Sequence, residues 1–139
     1  MRNLRGITVF VLLLALPAAA LAGGAKDLEG TPQAKAYRTL LKAVEAGDYE
    51  GYKKAMAAES QKEMDAQLKE MDMGPKQAMA FLKAMAASDV KLTGLEVKEK
   101  TAALKAVGMS GGEKTWGTID LVEEDGGWKI LKQSWSNKQ

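Results

Sequence analysis

The chain has 139 residues, 46% hydrophobic and 27% charged, a formal net charge of +2, and neither cysteine nor histidine. Without those two residue types there is no disulfide, no thiol nucleophile, no serine–histidine relay and no usual zinc or haem site. Any acid or base must be Asp, Glu, Lys or Tyr.

The N-terminus predicts export. Arg2 and Arg5 precede an apolar run from Gly6 to Leu16, interrupted by Thr8. Pro17 then breaks the helix, and Ala20-Leu21-Ala22 leads into Gly23-Gly24. This three-part pattern reads as a signal peptide over residues 1–22, cleaved to leave a periplasmic or secreted protein without a membrane span. The rival, an uncleaved anchor, wants roughly 20 apolar residues; this run is shorter and carries a proline. No Cys follows it, so a lipoprotein anchor is excluded. Loss of Arg2 and Arg5 takes Lys plus Arg from 20 to the same number as Asp plus Glu, 18. The mature chain is then near neutral, with charges that alternate in sign. It lacks the basic stripe that phosphate neutralisation needs, and no nucleic-acid partner is expected.

Residues 23–31 are small and polar and read as a flexible lead to a single domain over residues 32–136. Thr31-Pro32 is an N-cap followed by proline at the first helical position. Ala34, Tyr37, Leu41 and Val44 recur at spacings of three and four, and Gly47 ends this first helix. Asp48 caps a second, with Tyr49, Tyr52 and Met56 on one face. Ser60-Gln61-Lys62-Glu63 matches a capping box and opens a third, with Met64, Leu68 and Met71 aligned. Gly74-Pro75 starts a fourth, whose expected buried line is Ala78, Leu82 and Met85, flanked by Met79 and Phe81.

From Val90 the period becomes two. Val90 and Leu92 are followed by Leu95 and Val97, and Gly94 between the pairs marks a β-bulge. Ala102, Leu104 and Ala106 alternate in a second strand, and Ser110-Gly111-Gly112 signals a hairpin. The third strand, about Lys114 to Glu123, sets Trp116, Thr118, Asp120 and Val122 on one face and Thr115, Gly117, Ile119 and Leu121 on the other. After Asp125-Gly126-Gly127 the last strand carries large apolar groups on both faces (Trp128 and Ile130, then Leu131 and Trp135), which predicts cover on both sides. The expected fold class is α+β: short N-terminal helices packed on a curved four-stranded antiparallel sheet.

The link Ala46-Gly47-Asp48-Tyr49, the strand Val90-x-Leu92-x-Gly94-Leu95-x-Val97, and the closing Glu123-Glu124-Asp125-Gly126-Gly127-Trp128-Lys129-Ile130 with Ser134-Trp135 occur together in this order. In these features the chain resembles small exported members of the nuclear transport factor 2-like superfamily, the cone-shaped α+β fold, and especially its lipoprotein-like branches. The resemblance covers most of residues 32–136. It implies a pocket between helices and sheet, used in the superfamily for isomerisation, cyclisation, dehydration or plain binding, and homodimers formed through the sheet face. Tyr37, Tyr52, Met56, Met79, Leu82, Trp116 and Trp128 are the candidate lining. No cofactor is implied. Catalytic branches pair an Asp with a His or Tyr inside the cone; with no His, no such pair carries over.

Asp120 is the one carboxylate in mid-strand. Facing inward among apolar neighbours, it would have a raised pKa and could act as the base of an isomerase or lyase, with a tyrosine as donor. Alternation favours the outward reading, since Ile119 and Leu121 make the better core pair. Tyr37, Tyr49 and Tyr52 read as buried rings with hydroxyls at a rim, or as donors in a pocket. Met56, Met64, Met71, Met73, Met79 and Met85 have thioethers suited to Cu(I), but only Met71-x-Met73 is closely spaced and the remainder read as core. The expected role is non-enzymatic binding of a small apolar molecule or a protein partner.

Overall fold

The structure, a computed structural model, describes residues 25–138; the leader expected over residues 1–22 lies outside them. The described residues form α1 (Ala25–Glu29), α2 (Pro32–Ala46), α3 (Tyr49–Ala55), α4 (Ala58–Glu70) and α5 (Pro75–Met85). These are followed by β1 (Ser88–Lys98), β2 (Thr101–Ser110), β3 (Glu113–Glu124) and β4 (Gly127–Ser136). The strands pair antiparallel in the order β1-β2-β3-β4. The fold is α+β, as the change of period along the chain predicts.

Helix α2 organises the helical layer. The Thr31 hydroxyl accepts the N–H of Ala34 at 3.1 Å, Pro32 takes the first helical position, and Gly47 closes the helix at a φ of 70°, a left-handed conformation that favours glycine. Ala34, Tyr37 and Val44 are buried as the stripe predicts, but Leu40 goes deeper than Leu41. Residues 23–31, read as a flexible lead, contain α1, whose Leu28 is buried in the core. A single leucine among small and charged residues carries no period to read. Arg38 of α2 holds this turn in place: it donates to the Glu29 carboxylate at 3.0 and 2.7 Å and to the Val90 carbonyl at 3.0 Å.

The third and fourth predicted helices are present with altered faces. The capping box at Ser60–Glu63 does not form, because α4 starts earlier, at Ala58, and Ser60 is drawn to β4. There the Ser60 hydroxyl donates to the Leu131 carbonyl, and the Ala57 N–H donates to the Ile130 carbonyl at 2.8 Å. The Glu124 carboxylate takes over the cap, accepting the Ala58 N–H at 2.9 Å. These bonds cover part of the β4 edge, whose open carbonyls would otherwise invite pairing. Met64 and Leu68 are only half-buried and Met71 is exposed. On α5 the buried face turns toward Ala78 and Met79. Met85, expected in that line, is 66% exposed and Phe81 56%. Helix α5 packs on α2 and α3, and its last turn leaves Met85 to solvent.

In the sheet, Leu92, Leu95, Ala102, Leu104, Ala106, Ile119, Leu121 and Ile130 form the face under the helices. Five side chains are almost wholly enclosed (Tyr37, Leu40, Leu104, Ile119 and Leu121), each contributing about 1.5–3 kcal/mol over an exposed position. The bulge expected near Gly94 is present as a register shift between Leu92 and Gly94. Another shift lies opposite Asp120 and Leu121: Asp120 pairs with Lys132 and Leu121 with Ile130, so Leu131 is the extra residue. That bulge corrects the reading of β4 as covered on both sides. By register Trp128, Ile130, Gln133 and Trp135 all sit on the helix side, because the alternation steps by one at Leu131. The Trp135 ring lies over Gly117, where an added Cβ would meet it at 2.8 Å. A strand glycine here admits the indole.

Candidate functional site

Between α2, the end of α5 and β4 lies a cavity of about 180 Å³. Helix α2 contributes Tyr37, Leu40, Leu41 and Val44; α3 adds Tyr52; Leu82, Met85, Ala86 and Ala87 come from α5 and the link to β1. Gln133 and Trp135 close it from β4. No Asp, Glu, Lys or Arg lines it. The wall is apolar except for two phenols, one amide and one indole N–H.

Those polar groups are unequally satisfied. Gln133 Oε1 accepts from the Tyr37 hydroxyl at 3.2 Å and from Trp135 Nε1 at 3.0 Å, which spans the wall from α2 to β4 and fixes the indole. Tyr37 is 1% exposed, and burial pushes its phenol well above the usual tyrosine range against a smaller opposing effect of the Arg38 charge. Tyr52 is pushed up by burial alone, and among the described residues its hydroxyl has no hydrogen-bond partner. Both phenols hold their protons at neutral pH and act as donors, not bases. An unpartnered buried hydroxyl costs about 1–3 kcal/mol, which an acceptor atom on a ligand would offset.

A wider cleft of about 570 Å³ shares Leu41, Val44, Ala86 and Ala87 with the cavity. Its other walls are mainly polar, with Arg38, Lys42, Glu45, Lys83 and Asp89.

Of the lining residues expected from sequence, Tyr37, Tyr52 and Leu82 come together in the cavity. Met79 is buried in the core, and Met56 forms a parallel bridge to Ile130 at the β4 edge. Trp128 lies near the start of β4, paired with Glu123. Trp116 is on the opposite face of the sheet, paired with Val107 and Ser136. Asp120 is on that outer face too, between Ala103 and Lys132, with the Lys132 ammonium 4.0 Å from its carboxylate. The sheet separates it from Tyr37 and Tyr52. Tyr49 donates to Asp65 at 3.2 Å on the surface. Met79 is enclosed while Met71 and Met85 are exposed, so these sulfurs do not share one environment. Among the described residues no cluster of three Asp, Glu, His or Cys could hold a metal.

Sequence reasoning missed Gln133 as a lining residue and read Trp135 only as an apolar group on a covered strand. Both face the cavity because of the Leu131 bulge, and Leu131 itself gives no local sign of it.

The model of a family described as a domain of unknown function, DUF4878, matches residues 28–131. The chain belongs to this family. The DUF4878 match begins at Leu28, the buried residue of α1, takes in α2 to α5 and β1 to β3, and ends within β4. Gln133 and Trp135 lie beyond it. No curated protein matches the chain.

Proposed function

We propose that this chain is an exported, non-catalytic binding domain of the nuclear transport factor 2-like kind. It holds a small, uncharged, mainly apolar molecule in the cavity between α2, α5 and β4. The observation that carries this reading is Tyr52: a buried donor without a partner among the described residues, in a mainly apolar wall. That combination suits a ligand with an apolar body and one acceptor oxygen. Size points the same way. A dry cavity of about 150 Å³ accepts benzene, so about 180 Å³ suits a six-membered ring with one substituent.

The catalytic alternative gains no support from this arrangement. General acid–base chemistry needs a titrating group within hydrogen-bond reach of the substrate, and Asp120, its candidate base, is on the other face of the sheet. The exported location is supported by the leader pattern of residues 1–22. Among the described residues no helix is long and apolar enough to cross a membrane.

Native mass spectrometry of the protein purified gently from its own host tests the proposal. The expected spectrum carries a satellite mass of one small uncharged molecule, lost when Leu40→Trp fills the cavity. A bare protein in repeated preparations contradicts it.

A further inference from the structure

The outer face of the sheet is divided by charge. Around Asp120 it carries both signs, with Glu96, Lys98, Asp120 and Lys132 lining one shallow concavity. Around Trp116 it carries cations. Lys91, Val107, Trp116 and Ser136 form one row across the strands, and Lys105, Thr118 and Ser134 the next. Here lies a groove of about 460 Å³ that no carboxylate lines; Trp116, Thr118, Lys105, Ser134, Ser136 and Lys138 line it together with Trp135. Lys105 donates to the Thr118 hydroxyl at 3.2 Å, and among the described residues neither Lys105 nor Lys138 pairs with a carboxylate. The Lys114 ammonium lies 5.3 Å from the centre of the Trp116 ring, over a face to which a cation is attracted only weakly at an exposed site.

We propose that this groove is a second binding site, for an acidic saccharide. A sugar ring offers an apolar C–H face to an indole and hydroxyls along its rim. Trp116 supplies that platform once the exposed Lys114 side chain swings aside. Thr118 and Ser134 exchange hydrogen bonds with the sugar hydroxyls, and Lys105 and Lys138 hold its carboxylate by charge-assisted bonds. The composition disfavours other occupants. A single-stranded nucleic acid wants several stacking rings along a basic track, and a membrane wants a broad apolar surface. By register Trp116 is the one outward-facing ring of this groove, above a floor of hydroxyls. The groove and the cavity lie on opposite faces of the sheet by register and share Trp135 alone.

The test is calorimetry together with indole proton–nitrogen NMR on the purified protein. Trigalacturonate is the probe, with neutral maltotriose and citrate as comparators. Trigalacturonate is expected to bind, to shift the Trp116 indole signal and leave that of Trp128 in place, and to bind more weakly as salt rises. Trp116→Ala should weaken binding about ten-fold and Lys105→Gln about three-fold, with maltotriose about ten-fold weaker than trigalacturonate. Lys105→Gln changes an exposed side chain and keeps the test decisive should Trp116→Ala fold poorly. Absence of trigalacturonate binding, equal binding of citrate, or unchanged affinity in Lys105→Gln overturns the proposal.

Discussion

Along β3, Thr115, Gly117, Ile119 and Leu121 are buried beneath the helices, while Trp116, Thr118, Asp120 and Val122 remain half-open on the other side. Both sets share a backbone, a register and a pair of neighbouring strands. Their surroundings differ. On the helix side, volume is fixed by packing, so a glycine is required beneath an indole and a phenol resists ionisation. On the outer side, charges stay hydrated, and the Asp120–Lys132 pair at 4.0 Å contributes little. Which face a residue lands on therefore decides what its chemistry is worth.

Substitutions on the helix side should have the largest effects. Leu104 is fully enclosed, so Leu104→Ala should lower the unfolding free energy by about 2–5 kcal/mol in urea titrations. A smaller loss would mean the core can collapse around the gap. Gly117→Ala comes next. The new methyl must displace the Trp135 ring, costing about 1–3 kcal/mol and shifting the Trp135 fluorescence as its bond to Gln133 breaks.

Alkaline pH probes the same face. Burial raises the ionisation range of Tyr37 and Tyr52 in the folded chain, whereas unfolded tyrosines ionise near pH 10, at about the reference value. Above that point the folded state retains protons that the unfolded state has lost, so stability falls with rising pH; below it these groups contribute no slope. Tyr37→Phe should flatten the decline by up to about 1.4 kcal/mol per pH unit. An unchanged slope would show that the phenol is reached by water.

The smallest effects belong to exposed charges. Asp120→Asn should change stability by less than about 0.5 kcal/mol; a loss of several kcal/mol would mean that the outer face is not the open surface described. At acid pH, Arg38 holds the Glu29 carboxyl below its ordinary range. The stability it contributes is therefore present above that range and lost as pH falls through the lowered value. The pair is partly solvated, so the loss is under about 1 kcal/mol and disappears in Glu29→Gln.

Much of the fold could be read in the sequence because its signals are periodic. The α2 stripe, the Gly47 stop, the Gly94 bulge and the two faces of β3 each follow from spacing. What could not be read depends on partners distant in sequence. Glu124 caps α4 across 66 residues, which leaves the local capping box at Ser60 unused. Leu28 is buried because α1 packs on β1, far along the chain. The candidate site was half visible, since Tyr37, Tyr52 and Leu82 lie on regular helices. Gln133 and Trp135 were hidden because the Leu131 bulge reverses the face of every later residue in β4.

A cavity that takes up an uncharged apolar ring bearing an acceptor should bind a simple cyclic ketone. Titration with cyclohexanone, followed by side-chain NMR, tests this directly. Saturable shifts are expected at Leu40, Tyr52, Leu82 and Trp135 but not at Trp116, with affinity falling about two- to ten-fold in Tyr52→Phe. Shifts that never saturate, that appear on the outer face, or that persist unchanged in Tyr52→Phe would contradict that expectation.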